Sequence, residues 1–180
     1  DNLVAKVSAT PYYTPLFQAA FGTTQVTSAR ISRALAQYVR SLVSTDSKYD
    51  RAYTVAGASA ASPNFAAVFT PQEVQGEQIF RTAGCASCHT TVSQVSDSVH
   101  NIGLDLIDRD LGAGRGAFKA PSLRNVATHP PYMHDGRFAT LDQVIEFFSS
   151  GVQANANLDA RLKNPDGTPK RLGLTTDQKA

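Results

Sequence analysis

In 180 residues the chain has only two cysteines, one methionine and no tryptophan. Two cysteines close at most one disulfide, and with two residues between them that loop restrains too little chain to stabilise a fold much. A stapled mini-protein is excluded. Charge of one sign is also scarce: 17 basic against 15 acidic side chains leave a formal +2. That balance gives no electrostatic case for wrapping nucleic acid or lying on an anionic membrane. Apolar runs such as Phe65 to Phe69 fall far short of the roughly 20 residues needed to span a bilayer. There is no strand-like alternation of useful length, no internal repeat, and no basic start followed by an apolar stretch and a cleavage site. The sequence is therefore read as starting after any export signal, and its stop in "TTDQKA" as a truncation of a longer chain.

Helical signals are plentiful. "YYTPLFQAAFG" (12–22) reads as a short helix closed by Gly22, and Ser28 precedes a longer one. In that second helix Ile31, Leu35, Tyr38, Val39, Leu42 and Val43 recur on one face, opposite Arg30, Arg33, Gln37 and Arg40. "TVAGASAASPN" (54–64) is small, polar and aperiodic, which predicts a linker and a division into 1–64 and 65–180. Thr70, Pro71 and Glu73 then make a capped helix start, with the helix expected over Pro71 to Thr82. Thr140 with Gln143 and Thr175 with Gln178 repeat the capping pattern, the former opening a helix that ends at Gly151. Between Thr91 and Lys119 no period is sustained, and a large prosthetic group is the expected organiser of so long a loop. The fold class is mainly α with long irregular loops.

Both cysteines lie in "AGCASCHTT", as Cys85 and Cys88, with His89 directly after. A thioredoxin-like dithiol wants a strand leading into the pair, whereas here a helix does. A structural zinc site wants four ligands, and the other histidines, at 100, 129 and 134, are scattered. Covalent haem needs only what is present: two thiols reach the two vinyl groups of the porphyrin, and the adjacent imidazole takes the iron. Such attachment is completed outside the cytoplasm in bacteria, so the periplasm is expected. For the sixth iron position Met133 is the leading candidate from composition, followed by His134 and His129, with His100 last.

The order "FTPQEVQGEQIF…GCASCH", "HNIGLD" and "GAFKAPSLRNVATHPPYMHDGRFATLDQVIEFFSSG" resembles the C-terminal haem domain of bacterial di-haem cytochrome c peroxidases, including the MauG-like branch, over about residues 65 to 180. The preceding "YYTPLFQAAFG…ISRALAQYVRSLVSTDSKYD" resembles the end of that family's N-terminal haem domain. The resemblance implies a cytochrome c-like haem domain preceded by a helical remnant of a second one. It implies an oxidoreductase that reduces hydrogen peroxide with electrons from a small donor protein, a cytochrome c or a cupredoxin, and it is compatible with a homodimer. Two alternatives stay open: a mono-haem electron-transfer cytochrome without catalysis, and a MauG-like protein-modifying oxidase. The family's first CxxCH and its inter-haem tryptophan are both missing from these residues. At the position of the family's methionine or tyrosine ligand stands Phe148, which cannot coordinate iron, so the sixth ligand stays undecided. The resemblance also implies a calcium ion partly bound by carbonyls of His129 and Pro131. Arg124 and Lys119 are candidates for pairing with haem propionates.

Overall fold

In the computed structural model of the chain, which describes residues 2–180, helices start where short polar side chains can cap them. Thr27 Oγ1 accepts from the backbone N–H of Arg30 at the start of a long helix. Full capping boxes pair Ser47 with Asp50, Thr70 with Glu73, Thr140 with Gln143 and Thr175 with Gln178. Each satisfies two backbone donors that a helix start leaves without partners. The helices are α1 (Asn2–Ser8), α2 (Tyr13–Phe21), α3 (Ser28–Ser41), α4 (Lys48–Arg51), α5 (Pro71–Thr82), α6 (Leu141–Glu146) and α7 (Thr176–Lys179). Extended structure among the described residues is slight: β1 (Val99–His100) pairs antiparallel with β2 (Phe118–Lys119). The fold is mainly α, as expected. No helix among the described residues is long and apolar enough to cross a membrane.

The chain divides into two units, Asp1–Thr45 and Asp46–Ala180. In the first, Phe17 is 6% exposed and packs against Phe21 with ring centroids 5.4 Å apart, while the Arg33 guanidinium lies over the Phe21 ring. Leu35, Tyr38 and Val39 on α3 are exposed.

The division lies ahead of the 54–64 stretch at which the sequence predicts a linker. The reason is local packing: Ala52 is fully buried, its carbonyl accepts from Asn64 N–H at 2.7 Å, and the rings of Tyr49, Tyr53, Phe65 and Phe69 pack against one another in tilted and edge-to-face pairs. The polar stretch is thus a loop within the second unit. That unit has a core of Phe147, Val152 and Leu158, against which Ile102, Leu104, Met133, Phe138, Phe148 and Leu162 pack. α6 does not run on to Gly151 as one α-helix; a π-helical turn over Phe147–Gly151 takes over and buries Phe147 and Ser149.

The loop between β1 and β2 carries its own organiser, a carboxylate surrounded by amides. Asp108 Oδ1 accepts from Asn101 at 2.9 Å and from Asn155 at 2.6 Å, and Oδ2 accepts from Asn157 at 2.9 Å. The bond from Asn157, with those from Asn101 and Asn155, holds the Asp108 carboxyl below the usual carboxylate value against the opposing effect of desolvation. Gly116 closes this loop at φ +65°, and a Cβ there would run into the Asp108 carboxylate. Gly116→Ala is expected to cost about 1–3 kcal/mol, measurable as a lower urea midpoint with an unchanged slope.

Candidate functional site

α5 feeds the cysteine pair through Gly84, whose φ of +96° is backbone that glycine adopts without penalty. A 3-10 turn over Cys85–Ser87 follows, and the N–H groups of Cys88 and His89 both donate to the Cys85 carbonyl, at 3.2 and 3.0 Å. The turn sets both thiols and the imidazole on one short rigid segment. Both thiols are half-buried and free, with no disulfide between them. Burial pushes the Cys85 thiol up from its ordinary value, the opposite of the depressed thiolate that a redox dithiol needs.

His89 Nδ1 lies 3.1 Å from the Gln94 carbonyl oxygen and 3.0 Å from that of Pro121. Carbonyls only accept, so Nδ1 carries the hydrogen and Nε2 presents its lone pair. Beside this ring is a cleft of about 480 Å³ lined by Tyr49, Tyr53, Phe69, Phe80 and Arg81, among others. Burial, together with the 2.9 Å contact to Tyr53 Oη, raises the Tyr49 hydroxyl above its usual value. A haem c needs two unpaired thiols and an imidazole with Nε2 unprotonated, and Cys85, Cys88 and His89 fit it. The expected triad is brought together.

A second imidazole stands near. His100, 6% exposed on β1, holds Nδ1 at 2.7 Å from Asp159 Oδ2. Arg161 Nη1 lies 3.0 Å from His100 Nδ1 and 3.9 Å from Cys88 Sγ. Burial alone would raise the Asp159 carboxyl; the Arg161 backbone N–H, His100 and the Arg161 charge outweigh it and hold the group below its usual value. The buried His100 Nε2 has no hydrogen-bond partner among the described residues. Sequence reasoning ranked this residue last, because its partner stands 59 positions away and only the fold brings the two together.

The other candidates lie elsewhere. Arg124 directs its guanidinium at both Asp50 oxygens and at the Val92 carbonyl. Lys119 Nζ meets Asp97 at 2.7 Å. Met133, at φ +72°, packs against the Phe147 core together with Phe148. His134 is exposed and stacks on Phe118 with centroids 3.7 Å apart, and His129 is exposed. Two carbonyls, of His129 and Pro131, fall short of the roughly six to eight oxygens that calcium takes. No cluster of three or more His, Cys, Asp or Glu able to hold a metal is present among the described residues. These residues alone do not fit a calcium site.

The family profile described as di-haem cytochrome c peroxidase matches residues 1–59 and 65–171. Methylamine utilization protein MauG of Methylorubrum extorquens is 36% identical over 178 residues, covering 91% of this chain and 47% of that protein. Cytochrome c551 peroxidase of Nitrosomonas europaea is 31% identical over 154 residues, covering 78% of this chain and 43% of that protein. The chain thus spans about half the length of these curated relatives. Among solved structures, a MauG-like protein associated with microbial copper homeostasis superposes with a TM-score of 0.74 at 28% identity, over 99% of this chain and 58% of that one.

Proposed function

The chain belongs to the di-haem cytochrome c peroxidase family, whose members include haem oxidoreductases, and from that premise we propose that Cys85 and Cys88 hold a haem c through thioether bonds with His89 as iron ligand. The whole protein, on this reading, reduces hydrogen peroxide in the periplasm with electrons from a cytochrome c or cupredoxin, and this chain holds the haem that receives them. The observation that carries the reading is the His89 ring pinned by the Gln94 and Pro121 carbonyls beside two free thiols.

Bound there, haem supplies a one-electron carrier. The two carbonyls fix the tautomer of His89, stop the ring from turning and make Nε2 a stronger donor. Cys85 and Cys88 tie the ligand to the same turn, so the ring cannot drift from the group it binds. Phe80, 6.2 Å from the His89 ring centroid, adds an apolar neighbour, and limiting water near an iron ligand is one of the ways a protein tunes a redox potential. Peroxide reduction to water takes two electrons and two protons, so a one-electron carrier must be recharged by its donor between transfers or act together with a second redox group.

Stopped-flow turnover of the full-length protein with reduced cytochrome c tests the reading. Peroxide-dependent oxidation of the donor is the expected result; its absence after reductive activation overturns the peroxidase assignment. The relative named MauG favours a second reading, an oxidase that modifies a partner protein. It predicts side-chain oxidation of a protein substrate without rapid consumption of a small donor.

A further inference from the structure

We infer that Arg161 and Lys170 tune the haem that Cys85 and Cys88 would hold, as two cations fixed beside its thioether edge that raise its reduction potential; the inference rests on the haem reading above. Both cations ride on one hairpin. Its arms meet at the Lys163–Pro169 bridge and through the Lys170 N–H, which donates to the Leu162 carbonyl at 2.7 Å. Across the tip the Asn164 N–H donates to the Thr168 carbonyl at 2.8 Å, and Asp166 accepts from the Thr168 N–H and hydroxyl. Leu162 packs against the Phe147 core, which gives the arms a fixed base.

From the two arms the side chains reach the two ends of the attachment turn. Arg161 Nη1 lies 3.9 Å from Cys88 Sγ. Lys170 Nζ donates to the carbonyl of Ala83, just ahead of Gly84 and Cys85, at 3.3 Å, and lies 3.9 Å from the place a Cβ on Gly84 would take. One cation thus flanks each cysteine. Haem carries its thioether carbons directly on the macrocycle, so a charge against these sulfurs stands near the conjugated ring whichever way its plane lies.

Charge sets the sign. Taking up one electron makes the site more negative by one unit, and a nearby cation favours that state. Two effects reduce the size without reversing it. Asp159 Oδ2, 3.5 Å from Arg161 Nη1, offsets part of the guanidinium charge, and Arg161 is 48% exposed, so water screens part of the remainder. On α5 the nearest charges, Glu77 and Arg81, pair with each other.

Peptide mapping by mass spectrometry of the haem-loaded full-length protein reports the haem reading: no haem on the peptide with Cys85 and Cys88 overturns that reading and this inference with it. With haem there, an optical redox titration reads the inference. Arg161→Gln and Lys170→Gln are each expected to lower the midpoint of one haem, by about threefold to tenfold in its equilibrium constant for reduction, where tenfold is about 59 mV for a one-electron couple. The Arg161→Gln shift is expected to shrink as salt is added, and Arg161→Lys to stay near the wild-type midpoint. Asp159→Asn removes the offsetting anion while keeping an acceptor for the Arg161 N–H, and is expected to raise the midpoint. Opposite signs at 159 and 161 are what a merely structural role does not produce. A midpoint left unmoved by Arg161→Gln or by Lys170→Gln, or lowered by Asp159→Asn, overturns the inference. Should Arg161→Gln fail to fold, Lys170→Gln and Asp159→Asn decide by the same signs.

Discussion

Replacing Cys85 and Cys88 together by alanine is expected to remove covalent haem from this chain and to bring peroxide turnover of the full-length protein to background. Both thiols are free, so the change breaks no disulfide and any loss of haem is not a side effect of a lost staple. α5 keeps its capping box at Thr70 and Glu73, and the turn after Gly84 is held by backbone bonds that alanine preserves. Helical circular dichroism should therefore survive better than the Soret absorption. His89→Ala separates attachment from ligation. It leaves both thioether sites intact, so haem mass is expected to stay while iron ligation and turnover fail. Haem mass that persists in the double cysteine variant would show attachment elsewhere and remove the basis of the proposed function. The same mass with normal turnover in His89→Ala would show that another group holds the iron.

What could be read from the sequence is what depends on neighbours along the chain. The limits of α5 were legible at both ends because Thr70, Pro71 and Glu73 fix its start and Gly84 breaks the chain just beyond its last residue. Cys85, Cys88 and His89 were legible because one turn holds all three. The capped starts at Thr140 and Thr175 were legible for the same reason. What was hidden depends on contacts between distant segments. Asp108 organises its loop with Asn155 and Asn157, 47 and 49 positions on, where the sequence alone left the task to a prosthetic group. His100 finds Asp159, and Arg124 finds Asp50 74 positions back. A solvated charge and a buried ion pair look alike until the fold joins them. For Arg124 that difference turns a candidate propionate partner into a clamp between 46–53 and the segment after β2.

That clamp carries the second large effect. Asp50 and Arg124 expose only 13% and 16% of their side chains, and both guanidinium nitrogens reach the carboxylate. Removing one partner of a fully buried pair costs roughly 3–5 kcal/mol because the other is left charged and unpaired. With the residual exposure here, Arg124→Ala is expected to cost about 2–4 kcal/mol. The hydrogen bond from Arg124 holds the Asp50 carboxyl far below the usual carboxylate range, with Ser47 helping and burial opposing. A carboxyl depressed in the folded state contributes stability above its unfolded value, near about 4, and loses it as pH falls toward the folded value. Wild-type stability is thus expected to fall steeply below about pH 4, and Arg124→Ala to flatten that dependence. Asp50→Asn keeps an acceptor for the Ser47 cap while dropping the charge, so a cycle with Arg124→Ala isolates the pair; a coupling near zero would sink the clamp. The consequence for the site follows from Ser122, which neighbours Pro121 and donates to the Ser93 carbonyl at 2.6 Å, and from Arg124, which donates to that of Val92 at 3.1 Å. Loosening Arg124 frees the segment whose Pro121 carbonyl pins His89 Nδ1, so the same variant is expected to alter the ferric haem spectrum at a pH where the protein is still folded.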